Sequence, residues 1–180
     1  LLLANSLVAL TLAQQASLWA IRIAMAILAV GYWMQIRTRQ RNSKPIAWLW
    51  VCGASLAAVH TVSALWAFHG GSHADAVVAT ADRTEALFGI RVGAGVYVNY
   101  VFVVVWWLDA ALRAGSLRWL PDHSRGPMAL RVVGYAIDGF LIGMAISGSI
   151  VFASGPIRYV GLACMGIWIL GWRMPIKTCE

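Results

Sequence analysis

The chain has 180 residues, 61% of them hydrophobic and only 12% charged, with a net charge of +7. Soluble domains carry about 25% charged residues, so so apolar a chain lacks the polar surface to cover itself and needs lipid as its solvent. The positive balance does not indicate nucleic acid, because the basic residues cluster between apolar runs, where orientation signals of a membrane protein belong.

The opening run, Leu1 to Ala13, is short and has no basic stretch before it, so it is not read as a signal peptide. Crossing roughly 30 Å of hydrocarbon takes about 20 mostly apolar residues. Five segments meet that requirement, the last only just: 16–36, 46–68, 92–112, 130–153 and 157–172. All five prolines (Pro45, Pro121, Pro127, Pro156 and Pro175) fall between or beyond these segments, as expected of a residue that removes a helix donor and clashes with the preceding turn. The expected fold is all-α: one polytopic transmembrane helical bundle of about five spans, without a second domain.

The connections alternate in charge. Arg37, Arg39, Arg41 and Lys44 follow the first span; Arg113, Arg118 and Arg125 follow the third, with Arg131 just inside the fourth; Arg173 and Lys177 follow the fifth. The second connection offsets Arg83 and Arg91 with Asp75, Asp82 and Glu85, and the fourth holds only Arg158. By the positive-inside rule the N-terminus is outside and the C-terminus cytoplasmic, as in a bacterial inner or plasma membrane.

The second connection also carries a local start and stop. Ser72 is placed to cap a helix, with Asp75 three residues on in the manner of a capping box, and Gly89 is a natural end. A short amphipathic helix over 73–88 is expected, with Ala74, Val77, Val78, Ala81 and Phe88 on one face, lying on the outer surface of the bundle or in the membrane interface.

Within the spans, ionisable residues are functional candidates. His60 lies about 12 Å below the outer end of the second span. Gly53, Ala57, Ala64 and Ala67 share its side of the helix, so it is expected to face protein. One reading makes it a neutral histidine bonded to a carbonyl or hydroxyl. Another joins it to His69 and His73, three imidazoles within 14 residues, to bind copper, zinc, iron or haem near the outer face. Asp75 and Asp82 would project away from His73 on a helix and so would not share its ion.

Asp138 is the second intramembrane charge, about 10 Å from the cytoplasmic end. It would be protonated, hydrated, or matched by Arg131 or by a partner subunit, since an unpaired buried charge is costly. Arg22, in the outer half of the first span, is out of its reach and is expected to extend its head group toward the interface. Asn99, with Tyr97, Gly89 and Gly93, adds polar and small positions to the third span. Gly139, Gly143 and Ser147, spaced by four, form a small-residue packing stripe for another helix, within this bundle or in a partner.

Cys52, Cys164 and Cys179 form no C-x-x-C pair, so neither a redox motif nor covalent haem attachment is indicated. Metalloprotease, nucleophile-elbow and phosphate-loop motifs are also missing, and no self-contained enzyme active site is visible. Three roles remain: a non-catalytic integral membrane subunit packing against other subunits of a larger complex, a metal- or haem-binding membrane protein using the histidine cluster, and a small proton-coupled transporter using Asp138, His60 and Arg22.

Overall fold

The computed structural model describes residues 10–38, 43–115 and 128–151, together with 162, 165 and 166. In chain order it contains α1 (Leu12–Thr38), α2 (Lys44–His69), α3 (His73–Phe88), α4 (Gly95–Arg113) and α5 (Met128–Ile146). A π-helical turn, Ser147–Val151, continues α5. The described residues contain no strand. α1, α2, α4 and the run Arg131–Ser149, which joins α5 to the π-helical turn, are each long and apolar enough to cross a membrane. The fifth expected span, 157–172, lies outside the described residues except at 162, 165 and 166.

Local chemistry explains the boundaries. α1 begins four residues before the expected span because Thr11 and Gln14 form a capping box. The Thr11 N–H donates to Gln14 Oε1 at 3.0 Å, and the Gln14 N–H donates to Thr11 Oγ1 at 3.3 Å. Pro45 sits in the first turn of α2, where its missing N–H costs nothing. α2 ends at Gly70, whose φ of 58° is the left-handed conformation of a glycine C-cap. The Gly71 N–H then closes back on Leu65 O at 3.0 Å.

α3 starts and stops where its residues indicate. Ser72 Oγ accepts from the Asp75 N–H at 3.2 Å, and Gly89, at φ 71°, returns its N–H to Glu85 O at 2.8 Å. The third span shifts toward the C-terminus: Val92 to Ala94 belong to the turn, and α4 begins only at Gly95. Gly89 and Gly93 are therefore connection residues and not part of a stripe on α4. Gly93 still serves close packing, since a Cβ there would stand 2.6 Å from Val77 O of α3.

α2 is the hub of the bundle, packed against α1 on one side and α4 on the other. α3 lies across the ends of α2 and α4, and α5 packs on α4. The core combines Ala24, Leu28 and Tyr32 of α1, Ile46, Trp50, Ala54 and Ala57 of α2, Phe102, Trp106 and Ala110 of α4, and Leu141 of α5. Its principle is a large ring set into a glycine notch. A Cβ on Gly31 would collide with Trp50 Cζ3, and one on Gly53 would stand 2.5 Å from Trp106 Cζ2. Interiors at crystal-like density have no slack for such an atom. Trp50 and Trp106 are thus wholly buried, whereas Trp19, Trp48 and Trp66 sit on the outside of the bundle, 58%, 70% and 69% exposed.

Candidate functional site

The strongest concentration of polar chemistry lies at the end of the bundle where α1 leads into α2. Trp50 is placed there by α2, Tyr32 and Gln35 by the last turns of α1, Asp109 and Arg113 by the end of α4, and Asp138 by α5. Asp109 and Arg113 are one helical turn apart, the spacing at which two side chains on one helix meet. Arg113 Nε donates to Asp109 Oδ2 at 2.8 Å, and both side chains are 1% exposed. The same oxygen accepts the Trp50 indole N–H at 2.7 Å.

The remaining guanidinium nitrogens reach two other helices. Arg113 Nη1 donates to Gln35 Oε1 at 2.9 Å, and Nη2 approaches Asp138 Oδ1 at 3.4 Å. Tyr32 O–H donates to that same Asp138 oxygen at 3.0 Å. The guanidinium carbon stands 3.9 Å from the centroid of the Trp50 ring, a cation–π contact, while Tyr32 meets Trp50 edge-on with centroids 5.0 Å apart. A planar, permanently charged fork is the side chain suited to bridging two carboxylates and an amide at once. Asp138 is the outermost carboxylate of the three-charge group, its side chain 15% exposed.

This arrangement adds to the expectation for Asp138. Within the chain Asp138 faces Arg113 of α4, with Tyr32 of α1 as hydrogen-bond donor, two partners that the sequence did not point to. Arg113, counted in the sequence as a connection charge, is folded back into the bundle because Asp109 lies one turn below it. Sequence reasoning also passed over Asp109, Trp50, Tyr32 and Gln35. The acid–base pair spaced by four at 109 and 113 was the available signal.

His60 forms a second, smaller cluster between α1 and α2. Its Nδ1 lies 2.8 Å from Ser17 O and 3.1 Å from Ser17 Oγ. A carbonyl can only accept, so Nδ1 carries the proton and donates. Ser63 O–H lies 2.9 Å from Ser17 Oγ and 3.1 Å from His60 O. Ser17, 1% exposed, is thereby held in a polar pocket between the two helices. Because Nδ1 donates to a carbonyl, it is not available as a base toward the Ser17 hydroxyl, and the group does not have the geometry of a serine–histidine dyad.

The other histidines are engaged elsewhere. His73, at the start of α3, places Nδ1 3.0 Å from Tyr100 O–H and Nε2 3.2 Å from Tyr97 O–H, tying α3 to α4. His69 ends α2 beside Phe68, ring centroids 6.5 Å apart. The structure does not bring His60, His69 and His73 together. Among the described residues no group of three His, Cys, Asp or Glu side chains stands close enough to hold a metal ion.

Arg22 lays its guanidinium over the Trp19 ring at 4.9 Å. Asn99 is exposed on α4. On α5, nothing among the described residues comes within 4 Å of a Cβ built on Gly139 or Gly143, and Ser147 Oγ donates to Gly143 O at 2.8 Å within the same helix.

No protein-family model matches this chain, and no curated protein or solved structure is significantly similar to it.

Proposed function

We propose that the chain is a non-catalytic integral membrane subunit of a larger membrane protein complex, offering the Gly139–Gly143 face of α5 to a helix of a neighbouring subunit. The observation that carries this reading is that, among the described residues, nothing packs against those two glycines. In lipid, helices gain little from burying apolar side chains and associate where small residues let backbones approach closely. The interior of the bundle has the character of a scaffold, with rings seated in glycine notches and a charged group that ties four helices together. Arg37, Lys44, Arg113 and Arg131 gather toward one end, which this reading places in the cytoplasm, with α3 and its carboxylates outside.

The experiment is native mass spectrometry on the protein gently released from its own membrane, repeated with Gly143→Leu. The expected result is a species containing this chain and other subunits, lost in the variant, while the variant chain itself keeps its helical circular dichroism spectrum. A lone wild-type chain would overturn the reading.

A second reading, a small proton-coupled transporter, is favoured by one observation. Asp138 combines partial exposure with direct contacts to Arg113 and Tyr32, the arrangement of a carboxylate able to exchange a proton near a fixed cation. If so, the purified chain in liposomes carries a proton flux coupled to solute, and Asp138→Asn abolishes it. Flux unchanged by Asp138→Asn would remove this residue from the mechanism.

A further inference from the structure

One charged side chain inside a span is not part of any polar group described above. Arg22 has no carboxylate within ion-pair distance among the described residues, and its contact is the face of Trp19. An arginine in a membrane segment without an anion is expensive, and the cost is relieved when the head group reaches phosphates or water.

The geometry sets the direction and depth of that reach. Side chains on an α-helix lean toward its N-terminus, and Arg22 does so, stacking on the residue three positions before it. The N-terminus of α1 is fixed beside the C-terminal turns of α2, where Gln14 Nε2 donates to Ala67 O at 3.0 Å. With 27 residues α1 is about 40 Å long at 1.5 Å per residue. It therefore exceeds the roughly 30 Å hydrocarbon layer by about 5 Å at each end when centred. A guanidinium at the level of Trp19, about 10 Å from the helix start, then lies about 5 Å inside the hydrocarbon boundary, within range of lipid phosphates.

Beyond Trp19 the same helix continues as an apolar face. Ile23, Val30 and Trp33 are 47%, 48% and 41% exposed, and Ala26 is exposed between them. At 100° per residue, positions 19, 23, 26, 30 and 33 stay within one narrow face, about 21 Å long from Trp19 to Trp33. A cation stands at one end of this face, and an apolar track of acyl-chain length runs away from it.

We propose that this face of α1 is a phospholipid-binding site, in which Arg22 holds the phosphate beside Trp19 and one acyl chain lies along Ile23, Ala26, Val30 and Trp33. Arg22 is suited to the head group because a guanidinium presents a donor fork to phosphate oxygens. Trp19 covers one face of the cation, limits its motion and carries an indole N–H of its own. The site rests on the chain spanning a membrane and does not depend on the partner subunits proposed above.

The test is native mass spectrometry of the isolated chain in detergent, titrated with phosphatidylglycerol, phosphatidylcholine and diacylglycerol of identical acyl chains. The wild-type chain is expected to retain both phosphate-bearing lipids about tenfold more tightly than diacylglycerol, the scale of a charge-assisted contact. In Arg22→Gln that preference disappears while diacylglycerol binding stays the same. Equal retention of all three lipids by the wild-type chain would overturn the site, as would a phosphate preference that survives Arg22→Gln. The comparison among lipids on the wild-type chain can overturn the site even if the variant does not fold. Because the isolated chain is measured, failure of the subunit reading leaves this result unaffected.

Discussion

Arg113→Met will destabilise the bundle by about 3–5 kcal/mol, because it takes the Arg113 charge away from a buried carboxylate, Asp109. Asp109 is 1% exposed, and the substitution removes the 2.8 Å bond from Arg113 Nε while the bond from the Trp50 indole stays in place. It also deprives Gln35 and Asp138 of a donor. The double variant Asp109→Leu/Arg113→Met should recover most of that loss, since an apolar pair of similar volume avoids the desolvation of both ions. Unfolding by sodium dodecyl sulfate titration in detergent micelles, followed by circular dichroism, measures all three proteins. A single variant as stable as the wild type would mean that Asp109 finds water or a proton at little cost, and the network would lose its structural role.

Trp50→Ala is the second large effect. Removing a fully buried tryptophan costs about 3–5 kcal/mol from cavity and lost packing alone. Here the Gly31 notch also empties, the edge contact to Tyr32 disappears and Arg113 loses the ring beneath it. Trp50→Phe separates the two contributions. A phenyl ring keeps the notch partly filled and the face under the guanidinium, but it has no N–H for Asp109. The expected loss for Phe is about 1.5–3 kcal/mol, the range for a hydrogen bond to a charged group. The same unfolding titration applies, and equal losses for Ala and Phe would assign the whole effect to the indole N–H.

The helices were legible because the pressures that place them are local. Long apolar runs mark the spans, Ser72 and Gly89 mark α3, and Pro45 marks the start of α2. The start of α1 was equally local, written as Thr11 and Gln14 three apart, but the apolar run drew the boundary inward. The charged group was hidden for a different reason. Its members lie at 32, 35, 50, 109, 113 and 138, and nothing in one helix says which face of another will meet it. Trp50 reads like any interfacial aromatic until Gly31 is found opposite it. Asp138 reads as an isolated acid until Tyr32 and Arg113 are placed on the same side of the bundle. His60 was closer to legible: its expected bond to a carbonyl or hydroxyl is met by Ser17, 43 residues earlier in the chain.

The one-turn separation of Asp109 and Arg113 also bears on how the protein is made. A helix delivered to a bilayer with a lone carboxylate would expose that charge to lipid until a later segment arrived. α4 carries its counter-ion on its own surface, so the pair can enter as a neutral unit. Tyr32, Gln35 and Trp50 belong to segments synthesised earlier, and they supply the donors, acceptor and ring that receive it. Asp138 follows last and meets a guanidinium already held in position. Synthesis from the N-terminus thus presents Asp109, Arg113 and Asp138 each to a partner that precedes it or travels with it, and α4 needs no downstream helix to make its own insertion tolerable.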